Sequence, residues 1–125
     1  MRCSYQPIAS GFINEAGGYE VTPQVMRAKP TAIIFNNDAM ALGGCKALAE
    51  MGIKPGHDMA VTVIVDTPLC RYFSPALTAF RPALEPMGQR LAEILLASIP
   101  AFAGPDGPRI IREVWPLELV ARDSD

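Results

Sequence analysis

With one histidine, His57, and three scattered cysteines, the chain of 125 residues has little with which to hold a transition metal or drive nucleophilic chemistry. Zinc sites pair cysteine or histidine at short spacings. Cys3, Cys45 and Cys70 show no CxxC pattern and no close spacing, so no metal is expected. Their odd number and wide separation read as free thiols in a reducing compartment. A serine or cysteine nucleophile needs a base, and His57 lies in KPGHD, a turn sequence in which a solvated ring is the simple reading. There is no GxSxG elbow, no GxGxxG directly after a strand and no Walker GK[ST]. Gly43-Gly44 falls inside a helical pattern and reads as a close-packing position. The glutamates form no paired-carboxylate arrangement, so no cofactor and no enzymatic activity is expected.

Positive charge is also thin. Eleven Lys and Arg against thirteen Asp and Glu give a net charge of −2, with no basic run. Duplex binding by phosphate neutralisation needs clustered positive charge, so any contact with DNA would have to come from another segment. No apolar run approaches the ~20 residues that cross a bilayer. Met1-Arg2-Cys3-Ser4-Tyr5 has no apolar core of a signal peptide. A cytoplasmic location without a membrane partner follows as the expectation. No internal repeat and no low-complexity segment is present.

What is there is a core-forming α/β pattern. Half the residues are apolar and 19% are charged, ordinary for a globular chain, and the length suits one domain. Residues Pro7-Ile8-Ala9 suggest a short strand, and Gly11 and Gly17-Gly18 a loop. Tyr19 to Ala28 reads as a helix with Val21, Val25 and Met26 on its apolar face; Pro23 fits there only in the first turn. Lys29-Pro30 ends it. Thr31 to Phe35 is a strand without alternation, the pattern of strands covered on both faces of a parallel sheet.

Asn36-Asn37-Asp38 stops that strand, and Asp38 to Met51 is a helix. Asn37 or Asp38 can cap it. Met40, Ala47, Leu48 and Met51 form its expected buried stripe, with Leu42 and Cys45 to the side. Gly52 suits the left-handed C-terminal position. Met59 to Val65 is a second apolar strand, closed by Asp66-Thr67-Pro68. Strand, helix and strand in this order form a right-handed βαβ unit. Leu77 to Phe80 is a short extended piece. Leu84 to Ala97 is an amphipathic helix with Leu84, Met87, Leu91 and Leu95 on one face and few partners within the chain. Gly88 on this helix allows a close approach to a neighbour. Pro100 to Pro108 is a loop, Arg109 to Val120 carries one or two strands, and Arg122 to Asp125 is a polar tail. The fold class is α/β, a three-layer α/β/α arrangement with a mainly parallel sheet.

Ligands of open α/β sheets sit where strand C-terminal ends meet helix N-termini. Parallel strands bring Asn37 and Asp66 to one edge of the sheet. Asn offers donor and acceptor, Asp only acceptors, a set suited to a neutral polyhydroxyl or amide ligand. Asp38 as a mere cap and Asp66 as a mere turn residue remain the alternatives.

The stretch PTAIIFNNDAMALGGCKALAEMGIKPGHDMAV resembles the effector-binding domain of LacI/GalR-type bacterial transcription repressors, with its PTA, short apolar strand, ND and MALG. DTPLCRYFSPALTAFRPALEPMG resembles the family's following segment, and LELVARDSD its terminal strand. The resemblance covers roughly residues 17–125 in order. It implies a periplasmic-binding-protein-like fold of two subdomains with ligand bound between them. Residues 1–125 would be the C-terminal portion, with the 84–97 helix packing on the other subdomain and the helix-turn-helix lying outside the chain. The polypeptide would then resemble a truncated repressor ending at the natural C-terminus.

By position, Asn37 matches the asparagine that reaches the ligand, and Asp66 the second of two adjacent polar residues. The first, which holds sugar hydroxyls in the family, is Val65 here. Phe12 or Ile13 falls near the family's stacking aromatic. A small-molecule effector is the implied partner. A homodimer patch is implied at Leu42, Cys45, Leu69, Cys70, Tyr72 and Phe73. A solute-binding protein of a transport system, or an enzyme on a doubly wound sheet, would share the fold.

Overall fold

The computed structural model describes residues 12–99 and 111–125, together with 4, 7 and 8. The Pro100–Pro108 loop, the Arg109 end of the last strand region, Cys3, Ala9 and Gly11 lie outside the described residues. Pro7 and Ile8 carry no regular secondary structure. Two compact units are present: Met1–Arg81 with Leu119–Asp125, and Pro82–Glu118.

Helix α1 spans Glu15–Met26, four residues earlier than the apolar pattern suggests. Asn14 caps it, its side chain accepting from the Gly17 N–H at 2.9 Å. Gly17 and Gly18 are therefore helical and buried, not a loop. The reason is packing against helix α2, Asp38–Glu50. A Cβ on Gly18 would lie 2.0 Å from the Met40 carbonyl oxygen, and one on Gly43 would lie 1.8 Å from that of Glu15. The two helices touch backbone to backbone, which only glycine permits. Pro23 sits inside α1 rather than in its first turn. Proline there cannot donate to the carbonyl four residues back, and the helix ends one turn later.

Strand β1, Ala32–Phe35, pairs in parallel with β2, Ala60–Val63, and β2 pairs in parallel with β3, Thr78–Pro82. With β4, Leu117–Val120, the order is β1-β2-β3-β4. The βαβ unit forms as its sequence dictates. Gly52, at φ 74°, ends α2 with the Ile53 N–H donating to Leu48 O at 2.9 Å and Gly52 N–H to Ala49 O at 3.0 Å, the paired bonds of a Schellman stop.

The buried face of α2 is Ala41, Gly43, Gly44, Ala47 and Leu48; of the expected stripe Ala47 and Leu48 are buried and Met40 packs partly against the core, but Met51 is exposed. Small residues prevail because the partners are close. A Cβ on Gly44 would meet the Phe35 ring at 2.1 Å. Ile33, Phe35, Val61, Val63, Leu77 and Leu48 form the core. On β1 burial alternates, and Ile34 is 56% exposed, so the second face of this edge strand is open although its sequence does not alternate.

One residue of the polar tail enters the core. Ser124 is fully buried between β2 and β3. Its carbonyl accepts from Val61 N–H at 2.7 Å, and its hydroxyl accepts from Thr78 N–H at 2.9 Å while donating to Val61 O at 2.5 Å.

The second unit contains helix α3, Leu84–Ser98, which buries none of its side chains. Leu84, Leu91 and Leu95 are exposed. Arg90 binds Glu93 at 2.9 Å and Glu113 at 2.7 Å. A Cβ at Gly88 would meet nothing within 4 Å, so this glycine supports no close approach among the described residues. No helix among the described residues is long and apolar enough to cross a membrane.

Candidate functional site

The parallel strands of the first unit bring their C-terminal ends to one edge. Asn37 follows β1 and caps α2, its Oδ1 accepting from Met40 N–H at 2.8 Å. Its Nδ2 donates to Ile13 O at 3.5 Å, which ties the entry to α1 to the same edge. An amide has two donor hydrogens and two acceptor lone pairs, so these contacts leave hydrogen-bonding capacity on the half-buried Asn37. In that segment Phe12 is 62% and Ile13 65% exposed.

The helix cap is Asn37, and Asp38 serves the turn. Asp38 Oδ1 accepts from Ala39 N–H at 2.8 Å and its Oδ2 from the Thr67 hydroxyl at 2.5 Å. Thr67 follows β2, so this bond links the two strand ends.

Regular pairing of β2 stops at Val63, but the Ile64 N–H still donates to Phe35 O at 3.1 Å. The register ends at Phe35↔Val63, and Asn37 and Val65 each follow two residues later in a bend. The Asp66 N–H donates to Phe80 O at 2.9 Å, which sets its carboxylate beside the end of β3. There, Asp66 Oδ2 meets Arg81 at 2.6 Å and Oδ1 meets Arg122 at 2.6 Å. The Asp66 side chain is 5% exposed. Burial pushes its carboxyl up, but the hydrogen bonds and charges of Arg81 and Arg122 outweigh burial and hold it below its ordinary value. Arg122 Nη1 also donates to Leu77 O.

Asn37, Asp66 and the Phe12–Ile13 segment thus belong to one unit, with Asn37 and Asp66 at strand ends. Sequence reasoning missed Arg81, Arg122 and Thr67. Arg81 was open to the same strand-end logic as Asn37, because it lies at the end of the third parallel strand. Arg122, in an apparent tail, carried no local signal.

The apolar residues expected on a shared dimer face do not behave alike. Leu42, Leu69 and Tyr72 are exposed, Tyr72 at 82%. Cys45 and Phe73 are half-buried and packed against the core. Cys70 lies in a short 3-10 helix, Pro68–Tyr72, and has no exposed surface. It is a core residue and offers nothing to a partner. Burial pushes the Cys45 thiol up to about 11. Among the described residues no three His, Cys, Asp or Glu side chains converge as a metal site, and the His57 ring meets the neighbouring Asp58 at 2.7 Å in an exposed turn.

An open, mainly parallel sheet with polar residues at its strand ends defines an α/β binding-protein fold. The chain belongs to the periplasmic binding protein-like domain family, which it matches over residues 3–124. It is 34% identical over 117 residues to the lactose operon repressor of Klebsiella pneumoniae, covering 91% of this chain and 31% of the repressor. A LacI family transcriptional regulator from Enterococcus faecalis with bound ribose superposes with a TM-score of 0.71 at 28% identity, over 94% of this chain and 42% of the other. The lac repressor dimer bound to operator gives 0.68 at 29% identity, over 89% and 38%. The chain spans about a third of the length of the curated relatives it matches.

Proposed function

We propose that this chain is the effector-sensing part of a LacI-type transcription repressor. The observation that carries the reading is Asn37. Its partly unused amide stands at the strand-end edge of a parallel sheet, in a chain that matches a binding-protein family along nearly its whole length. A polar small molecule held at this edge would favour one arrangement of the complete protein over another. Differential affinity for the two arrangements shifts their populations, and with them occupancy of DNA.

In this reading Asn37 contacts the effector, the Phe12–Ile13 segment flanks it, and Asp66 fixes the strand ends through its arginines. The chain senses and catalyses nothing, needs no cofactor and works in the cytoplasm. DNA is contacted by a helix-turn-helix outside these 125 residues. The exposed Leu84, Leu91 and Leu95 of α3 pack on a companion subdomain, since water-exposed leucines in a row are the mark of an unpartnered face. A homodimer forms through Leu42, Leu69 and Tyr72, with Cys45 and Phe73 supporting them from below. The lac repressor relative, crystallised as a dimer on its operator, supports that assembly.

The coding sequence upstream of Met1 tests the proposal. A helix-turn-helix and a first α/β subdomain in frame are expected. An export signal ahead of such a subdomain would overturn it in favour of a solute-binding protein of a transport system.

A further inference from the structure

We infer that Asp66 is a clasp on the two connections between the compact units, so that neither connection loosens without the other. Its purpose, but not its existence, rests on the reading of this edge as the effector site.

The chain leaves the first unit after Arg81 and rejoins it at Leu119. Arg81 is the last residue before departure, and Arg122 follows closely on the return. Each is held by one oxygen of a single carboxylate. Arg122 Nη2 donates to Asp66 Oδ1 at 2.6 Å, and Arg81 donates to Oδ2 through Nη2 at 2.6 Å and Nε at 3.1 Å. All three residues belong to the first unit. The backbone repeats the arrangement. The Asp66 N–H donates to Phe80 O, next to Arg81, at 2.9 Å. On the return, Arg122 Nη1 donates to Leu77 O at 2.5 Å and its N–H to Thr78 Oγ1 at 2.8 Å. The end of β2, the departing strand and the returning segment therefore meet at one side chain.

The Asp66 side chain is 5% exposed. A buried carboxylate that loses one guanidinium is left under-compensated, and the remaining arginine must re-aim to serve the vacated oxygen. A shift in one connection thus reaches the other through Asp66. Both connections are built to transmit it. Only Pro82 and Ala83 separate Arg81 from α3, and the ring of Pro82 fixes its own φ. The return is made within a strand, because β4 runs from Leu117 to Val120 across the boundary at Leu119.

The clasp is also tied to the strand-end edge. Thr67, the residue after Asp66, donates to Asp38 Oδ2 at 2.5 Å, and Asp38 opens the helix that Asn37 caps. A ligand held by Asn37 acts on this helix start, and through Asp38 and Thr67 on the clasp. Coupling between distant groups requires an element with two arrangements that both ends bias. Asp66 with both arginines engaged, and Asp66 with one released, are those two arrangements.

The test is hydrogen–deuterium exchange of the 125-residue chain, read amide by amide by NMR with no effector present. The Arg81 side chain is 44% exposed, so Arg81→Gln leaves the fold in place; Arg81→Lys, which keeps the charge and loses the fork, is the milder variant. The reporter is the Arg122 N–H on the other connection. The reference is the Ile53 N–H, whose bond to Leu48 O closes α2 and which opens with the whole unit. Arg81→Gln is expected to speed exchange at Arg122 by about tenfold and at Ile53 by at most about twofold, since local and global opening are separate events. Arg81→Lys is expected to act in the same direction and less strongly. In an Asp66→Asn background neither substitution should change the Arg122 rate, because the clasp is already open. An Arg122 amide that ignores both Arg81 substitutions, that accelerates no more than Ile53, or that responds equally in Asp66→Asn overturns the clasp. The sensing role is untouched by that failure, and is decided by the upstream coding sequence.

Discussion

Asp66 and Arg122 are separated by 56 residues of chain, and their side chains meet at 2.6 Å. Asp66 ends the second strand of the βαβ unit, and Arg122 follows the last strand. Arg81, at the end of β3, takes the other carboxylate oxygen. One buried anion thus joins two strand ends and the terminal segment, and this fixes the edge from which Asn37 projects. The pair differs from a surface salt bridge: Asp66 is almost fully buried and Arg122 nearly so.

Arg122→Ala should therefore be costly. Removing one member of a buried pair leaves the other charged and under-compensated, typically at about 3–5 kcal/mol. Arg81 remains and offsets part of this, so a loss near the lower figure is expected. Urea unfolding followed by far-UV circular dichroism measures it. A change within error would mean that the pair contributes little to the fold.

The same carboxylate predicts an acid limb. The folded-state pKa of Asp66 lies below its unfolded value, taken as about 3.9. Between those two values the unfolded state binds more protons, so stability falls as the pH falls. The contribution of Asp66 is complete above about pH 4 to 5 and disappears as pH drops through the lowered folded value. In Asp66→Asn this part of the pH profile should flatten. Parallel urea midpoints from about pH 2.5 to 7 for both proteins, a range that spans the unfolded carboxylate value, provide the comparison.

Ser124 makes a second test of the terminal segment. Its hydroxyl accepts from Thr78 N–H and donates to Val61 O with no exposure to water. Ser124→Ala leaves a buried donor and a buried acceptor unpaired, each at about 1–3 kcal/mol. A loss of about 2 kcal/mol or more is expected in the same unfolding assay. An unaffected midpoint would show that the tail does not bridge β2 and β3 in solution.

Glycine positions give a contrast in sign. Gly18→Ala puts a methyl 2.0 Å from a backbone oxygen of α2, which no side-chain rotation can relieve. Overpacking of this kind costs about 1–3 kcal/mol. Gly88→Ala in α3 meets nothing within 4 Å, and alanine is better in a helix by up to about 1 kcal/mol. Gly18→Ala should lower the melting temperature and Gly88→Ala should hold or raise it. Equal effects would contradict the backbone contact between α1 and α2.

How far these features could be read from residues alone follows their range along the chain. The β1–α2–β2 unit was legible because its signals are local: an apolar run, an asparagine at the cap, a glycine at φ 74° and a second apolar run. The apolar row on α3 was legible for the same reason. Gly17-Gly18 looked like a loop because two adjacent glycines weaken a helix in isolation; the neighbouring backbone of α2 reverses that preference, and nothing near position 17 announces it. At the site, Asn37 and Asp66 could be found by strand-end logic. The arginines that claim Asp66 could not be tied to it, because they lie 15 and 56 residues away and no periodicity links them. The burial of Cys70 was hidden by its place in a loop sequence whose apolar residues, Leu69, Tyr72 and Phe73, suit a core and a partner surface alike; a 3-10 turn directs Cys70 into the core.

The homodimer is tested on the residues that remain on the surface. Leu42 lies on α2, and Leu69 and Tyr72 lie on the 3-10 helix after β2. All three are exposed, so polar replacements there cost the monomer little. A two-fold interface is self-complementary, and each substitution is therefore counted twice in the assembly. Leu42→Asp with Tyr72→Ser should convert a dimer to a monomer in sedimentation velocity without changing the circular dichroism spectrum. Cys70→Ser should act differently: it places a hydroxyl in the core and lowers stability, with association altered only through that loss. A wild-type chain that sediments as a monomer at high concentration would refute the dimer through this surface. Dissociation by Cys70→Ser at full stability would place the interface where the core now stands, and would contradict the buried position of Cys70.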